Sequence, residues 1–270
     1  MQPKGNKQTV DLLRERVISP KALSYLWLAL ENDFNIVLFC KEKDDSNTFI
    51  EALMELYPRS KKPTTKHFDS SKTIPFILDE LGKTDDQNRL LISIESDDFP
   101  KLGRKVLSLP PDKKEGIYNV LDIVVSLNKP DDASANRTID IMEVVGEHEA
   151  SMIVNRIFFW DKHYDWFFFS GHSYMFDRIL LRKGIDKEQL KDGEGKIFED
   201  LRNSWEHRAV FLRWLAHKNS DDPEKYMIDF ENNPESVVEM CIKELENVDY
   251  PGKDLPDEKA RVDHINKDAE

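Results

Sequence analysis

The stretch with the most chemical content joins an apolar run to a helix. Phe34-Asn35-Ile36-Val37-Leu38-Phe39 reads as a buried strand, and Phe49 to Leu56 as a helix closed by Pro58. A strand, loop and helix in that order can cradle a phosphate when the loop carries G-x-x-x-x-G-K-S/T. The glycines let backbone N–H groups wrap the anion, the Lys neutralises it and the hydroxyl holds magnesium. The loop here reads Cys40-Lys41-Glu42-Lys43-Asp44-Asp45-Ser46-Asn47-Thr48. It has no glycine, and Asp44 and Asp45 stand where an anion would sit. A carboxylate about 4 Å from a phosphate costs roughly several kcal/mol unless a cation screens it. The helix N-terminus remains a weak anion site, but the two Asp side chains are expected to occupy it themselves, as caps.

Other candidates carry less. Gly193-Glu194-Gly195-Lys196 has the letters of a phosphate loop, but Ile197 follows where a hydroxyl is needed and no strand precedes it, so a turn before a helix is expected. Asp161, His163 and Asp165 have metal-ligand chemistry, yet read as a polar hairpin tip. Arg59, Lys61, Lys62, Lys66 and His67 form a basic run, read as a solvated loop first and a partner contact second. Ile77-Leu78-Asp79-Glu80 spells a Walker B ending, but Thr73 and Pro75 interrupt any strand before it, so a short helix is expected over Ile74–Leu81. Cys40 and Cys241 lie far apart, without disulfide-framework or metal-ligand spacing, and Cys40 reads as a buried strand end rather than a nucleophile. No Ser/His/Asp set or paired carboxylates stand out.

The elements that must hold these residues read as follows. Residues 1–10 look like a loose leader, followed by a helical pattern with Leu12, Leu13 and Val17 on one side. Ser19-Pro20 is an N-cap followed by Pro at the first helical position, opening a helix that buries one face through Leu30. Residues 59–73 read as loop. Leu90–Ile94 and Ile123–Leu127 are further buried strands, with helices at Phe99–Leu107 and Lys114–Leu121 around the turn Pro110-Pro111-Asp112, and a turn over Asn128–Asn136. Thr138–Val145, Ser151–Trp160 and Trp166–Ser170 then form an antiparallel meander with turns at Gly146–Glu149 and Asp161–Asp165. From Tyr174 to about Glu246 the pattern is helical, with Ile197, Leu201, Trp205, Ala209, Leu212 and Leu215 as one apolar stripe. The charged tail from Asp249 is expected to be disordered.

Composition sets the outer limits. The chain has 270 residues, with 39 Lys plus Arg against 52 Asp plus Glu, a net charge of −13. That balance argues against a general nucleic-acid binder, which needs positive surface to displace counterions. Fifteen Phe, seven Tyr and five Trp are enough for a real core, so wholesale disorder is excluded. Met1–Val10 is polar, without the apolar run of a secretory signal, and no apolar stretch is long enough to span a bilayer. Sparse cysteine points to a reducing, cytoplasmic setting.

Several segments together resemble the archaeal type II/IV secretion ATPase family, which includes archaellum and pilus motor ATPases. Ile18 to Glu31 is similar to the lead-in before that family's Walker A loop, and Glu51-Ala52-Leu53-Met54-Glu55-Leu56-Tyr57-Pro58 to the helix after it. The ungapped match sets Cys40 on the first Walker A glycine, Asp45 on the second, Ser46 on the Lys and Asn47 on the first Thr. Leu91-Ile92-Ser93-Ile94-Glu95-Ser96-Asp97 resembles the histidine box S-T-I-H-A-D, with Glu95 in place of the histidine. Pro110-Pro111, Asn119–Val125, Thr138–Val145 with Arg137 at its start, Asn155–Asp161 and Ser170-Gly171-His172-Ser173-Tyr174 match further family segments. Arg208, Leu212, Arg213, Trp214, Leu215 and Tyr226 follow its helical end. The likeness covers about residues 9–246. The interval Arg59 to Gln87 is too short for the family's Asp box and Walker B strand, and no counterpart of the family's preceding N-terminal domain is expected.

The resemblance implies a truncated RecA-like P-loop NTPase core, then an antiparallel β-meander and a C-terminal helical region. The expected organisation is an N-terminal leader over 1–17, the degenerate core with its meander over 18–175, the helical region over 176–248 and an acidic tail over 249–270. With the Walker A positions replaced at Cys40, Asp45, Ser46 and Asn47, and the histidine box at Glu95, no catalytic, nucleotide or metal site is expected. The chain is then a non-catalytic homologue, a binding or regulatory component. Its expected partners are an active paralogous ATPase ring or a membrane platform protein, reached from the cytoplasm at the inner face of the cell membrane. The alternative is a functional secretion-type ATPase, using ATP and magnesium at a non-standard or partner-completed site. Phe158, Phe159, Trp160, Trp166, Phe167, Phe168 and Phe169 are too many rings for one side of two alternating strands. Half are expected in the core and half at an interface, as in a homo-oligomer.

Overall fold

Strand β1, Ile36–Cys40, alternates its side chains between two apolar layers. Ile36, Leu38 and Cys40 join one cluster, Val37 and Phe39 the other. Burial on both faces is what a continuous apolar run in a parallel sheet requires. The computed structural model describes residues 7–57, 63–72, 76–77, 79–80, 90–96, 99–110, 114, 117–118, 121–129, 137–148, 151–185, 190–218, 223–246 and 248. Arg59, Lys61, Lys62, Pro111, Asp112, residues 1–6, most of the turn over 128–136 and the tail over 249–270 lie outside them.

Among the described residues, one seven-stranded mixed sheet runs in the order β2-β3-β1-β4-β5-β6-β7. Here β2 is Thr64–Phe68, β3 Leu90–Glu95, β4 Ile123–Asn128, β5 Arg137–His148, β6 Ser151–Asp161 and β7 Trp166–Phe169. Strands β2, β3, β1 and β4 are parallel, and β5, β6 and β7 add antiparallel to β4. The meander is thus an extension of the parallel sheet. Strand β5 runs on to His148, through the residues expected to turn. The pairing with β6 shifts register between Val144 and Gly146, whose φ of 151° suits glycine.

Helix α1, Lys7–Arg14, begins within the stretch read as a loose leader. Thr9, Val10, Leu12 and Leu13 are buried, and Thr9 Oγ1 donates to Glu55 at 2.8 Å, so this segment belongs to the core. Helix α2, Pro20–Glu31, opens as its sequence predicts: Ser19 Oγ accepts the Ala22 N–H at 3.2 Å. Every residue from Ala22 to Leu30 is buried, not one face alone. On one side Tyr25 meets Phe158 of β6 at 5.7 Å between ring centroids. On the other, Trp27 meets Phe211 and Phe230 at 6.3 and 5.4 Å.

Helix α3, Lys43–Leu56, shares that layer, while α4, Phe99–Leu107, covers the opposite face of the parallel strands. The chain then continues into α5, Tyr174–Arg182, α6, Leu190–His217, α7, Pro223–Asn232, and α8, Pro234–Leu245. The stripe Leu201, Trp205, Ala209, Leu212 and Leu215 is buried, with Ile197 packed against the core. Among the described residues, no helix is long and apolar enough to cross a membrane.

Candidate functional site

In open parallel sheets ligands gather where the strands end at their carboxyl edge. Here that edge brings Cys40 of β1 into register with Glu95 of β3 on one side and Leu127 of β4 on the other. Strand β2 ends beside β3 at Phe68, followed by Asp69 and Ser70. The residues matched to Walker A and to the histidine box therefore meet in one place.

The connection from β1 to α3 is shorter than the sequence led us to expect. Lys41 and Glu42 alone separate Cys40 from Lys43, the first helical residue. Glu42 is the N-cap, with extended backbone and no capping bond from its side chain. Asp44 and Asp45 are not the caps; they lie inside the first turn, where their charge complements the positive end of the helix. The buried Ser46 donates its hydroxyl to the Lys43 carbonyl at 2.8 Å, and its N–H goes to the Glu42 carbonyl at 3.2 Å. Asn47 is an exposed helical residue. Asp45, Ser46 and Asn47 thus occupy helix positions, and the Ser46 N–H is taken by the Glu42 carbonyl.

The electrostatics agree. Burial pushes the Cys40 thiol up to about 11, and the carboxylates of Asp45, Glu42 and Glu95 push in the same direction. The thiol is therefore protonated at neutral pH, donates to the Glu42 carbonyl at 3.2 Å, and is no nucleophile.

Glu95 is held by groups from β2 and the turn after it. The Ser70 backbone N–H donates to Oε2 at 2.9 Å, and His67 Nε2 lies 3.0 Å from Oε1. Ser70 first, and then His67, hold the Glu95 carboxyl below the usual carboxylate range. An ionised carboxylate only accepts, so Nε2 carries a proton toward Glu95, and Nδ1 lies 2.7 Å from the Ser93 hydroxyl. Ser93, His67 and Glu95 thus form a relay that sequence reading did not find. Ser93 is 3% exposed, so its oxygen is closed to substrate. The relay braces the edge strand instead of supplying a nucleophile. It was missed because Thr64-Thr65-Lys66-His67-Phe68 reads as loop; its only signals are the β-branched pair and Phe68.

The remaining candidates are accounted for. In the Ile77–Glu80 segment, residues 77, 79 and 80 are helical, in agreement with the short-helix reading. Gly193–Lys196 is not a turn but lies within α6. Asp161 Oδ1 accepts the N–H groups of His163 and Tyr164, closing the hairpin tip. Asp165 takes Arg16, Arg137 and Trp160. Among the described residues, no three His, Cys, Asp or Glu side chains converge as a metal set. Of the seven hairpin aromatics, Phe158, Phe167 and Phe168 are buried, and Phe159, Trp160, Trp166 and Phe169 half-buried. None is exposed, so the argument from open rings to self-association loses its support.

Among the described residues, the carboxylate with the most hydrogen bonds lies elsewhere. Glu143 of β5, 1% exposed, accepts from the hydroxyls of Tyr25 and Ser173, the N–H groups of Tyr174 and Met175, and Asn155 Nδ2. It ties α2, β5, β6 and the start of α5 together, and its donors leave it no part in chemistry on a ligand. No family model matches the chain, and no curated protein matches it.

Proposed function

We propose that this chain is a non-catalytic relative of the archaeal type II/IV secretion ATPases, with a truncated RecA-like core, acting as a binding or regulatory component. The observation that carries the proposal is the junction of β1 and α3. Phosphoryl transfer relies on charge placed around phosphate and magnesium. Here Lys41 and Glu42 are the entire connection, and Asp44 and Asp45 fill the first turn behind it. Burial first, and then the carboxylates of Asp45, Glu42 and Glu95, raise the pKa of the thiol at the strand end, and a polyphosphate placed there would meet those carboxylates. The element order lends support: β2 stands in the interval where the resemblance implies a Walker B strand, but it is a polar edge strand followed by Asp69-Ser70.

The partners we propose are an active paralogous ring or a membrane platform protein, on the strength of the resemblance alone. Calorimetric titration with magnesium-ATP tests the proposal. No binding is expected. Tight binding that is lost in Lys41→Ala, Lys43→Ala or Ser46→Ala would overturn it in favour of an active ATPase with an unusual site.

A further inference from the structure

Strands β5 and β6 outrun their neighbours. Pairing of β4 with β5 ends at Ile123 and Glu143, and the Val144 N–H still reaches the Asp122 carbonyl at 3.0 Å. On the other side β7 pairs with β6 from Phe158 to Asp161. The chain after β7 follows β6 as far as Asn155, whose Nδ2 donates to the His172 carbonyl at 3.1 Å. Past these points, among the described residues, residues 145–148 and 151–154 pair with each other alone, as a projecting two-stranded ribbon. We propose that the outer edge of this ribbon, residues 151–154 of β6, pairs antiparallel with the same edge of a second copy of the chain.

An unpaired strand edge offers a row of N–H and C=O groups to an incoming strand, and proteins blunt such edges with charge, proline or a bulge. The β5 side of the ribbon has a bulge at Val145, which faces no residue of β6. The β6 side reads Ser151-Met152-Ile153-Val154 and carries none of the three devices. Ile153 and Val154 are 41% and 38% exposed and point to opposite faces of the ribbon, so both faces gain burial when a strand is added. Met142, Val144 and Met152 pack on the cluster that holds Phe99, Leu102 and Val106 of α4, which fixes the ribbon in place. The two ends of the sheet are less open: β2 carries Lys66 and His67, and β7 keeps Phe167 and Phe168 buried.

Charge names the occupant. At −13, two copies repel wherever their carboxylates meet. The β6 edge presents no open charge. Residues 151–154 are uncharged, and Glu147 belongs to the other strand of the ribbon. Asn155 is turned to Glu143, and Arg156 is bonded to Asp140 and lies over the Phe159 ring. A basic partner would be drawn to the acidic surface instead, whereas a like-charged copy can approach here. Antiparallel self-pairing is two-fold symmetric, so one edge supplies both halves of the contact. The contact is independent of the non-catalytic role proposed above.

Sedimentation velocity of the full chain from about 5 to about 500 µM tests the contact. A monomer–dimer equilibrium with a Kd of about 10–100 µM is expected, because two short edges make a small interface. Ile153→Lys and Val154→Lys each set like charges against one another across the two-fold axis. Both are expected to weaken the dimer at least about tenfold, with circular dichroism confirming that these variants of exposed positions fold. Hydrogen exchange is expected to show the amides of residues 151–154 gaining protection as concentration rises. A chain that stays monomeric over the whole range overturns the proposal. A dimer that both Lys variants leave intact also overturns it, as does protection that rises elsewhere and not over residues 151–154, because the copies then meet at another surface.

Discussion

His67 Nε2 lies 3.0 Å from Glu95 Oε1, so the carboxylate at the end of β3 is partnered by a histidine from the neighbouring strand. The Glu95 pKa is lowered in the folded chain, first by the Ser70 N–H and then by His67. A carboxylate with a depressed folded pKa stabilises the fold above its unfolded value, about 4.3 for Glu. That contribution is lost as pH falls through the lower folded value. In Glu95→Gln, urea midpoints should therefore fall less steeply below about pH 4 than in the parent chain. An identical acid slope in the two proteins would count against this account of the sheet edge.

The Glu143 cluster predicts a larger effect. Burial, and then the charge of Glu143, push the Tyr25 hydroxyl pKa well above its ordinary value, so it stays a donor, 2.6 Å from Oε1. Tyr25→Phe removes one hydrogen bond to a charged acceptor and should cost about 1.5–3 kcal/mol. Glu143→Gln turns an amide NH2 toward groups that are themselves donors, and should cost about 2–4 kcal/mol by leaving buried donors unmet. Equilibrium denaturation measures both. A loss below about 0.5 kcal/mol for Glu143→Gln would mean that the cluster is not holding α2 to the sheet.

The parts of the fold legible in sequence were those where local pattern and burial agree. Ser19-Pro20 opens α2, Ile36–Phe39 lies in a doubly buried strand, and Phe99–Leu107 is helical as its spacing predicts. Strand β2 was illegible because an edge strand with Lys66 and His67 needs no apolar alternation; its partner β3 makes it a strand. The start of α3 was misread because Lys43 to Asn47 is polar and Asp and Asn are weak helix formers, yet a carboxylate-rich first turn and the burial of Ser46 favour its extension. The Ser93, His67 and Glu95 relay depended on that unseen strand. The burial of α2 on every side follows from helices far along the chain, which no local window reveals.

The end of α2 predicts a stabilising change. Asp33 has φ of 67°, the Asp33 N–H reaches the Leu30 carbonyl at 3.3 Å, and the Phe34 N–H reaches the Ala29 carbonyl at 3.1 Å. This is a Schellman closure with a non-glycine residue in the left-handed position, and a carboxylate near the negative end of the helix. Asp33→Gly should relieve both and raise stability by about 0.5–1 kcal/mol, read as a higher urea midpoint at unchanged slope. A lower midpoint would show that the Asp33 side chain contributes more than its backbone conformation costs.

Restoring the letters of a phosphate loop should not restore the site. The double variant Asp45→Gly with Ser46→Lys supplies a glycine and a lysine where the resemblance asks for them. In the structure Ser46 is 1% exposed and its N–H is bonded back to the Glu42 carbonyl, so the new lysine would start from a buried helical position, one turn into α3. The connection would still consist of Lys41 and Glu42, with Asp44 beside them and no glycine loop to wrap an anion. Magnesium-ATP titrated into the double variant is expected to give no more heat than into the parent. The comparison is made on protein whose circular dichroism matches the parent, because a lysine forced into the core costs stability on its own. Saturable binding in the double variant would mean that side-chain identity, not the length of the β1–α3 connection, closes the site to nucleotide, and the argument for a non-catalytic role would have to rest on Asp45 and Ser46 alone.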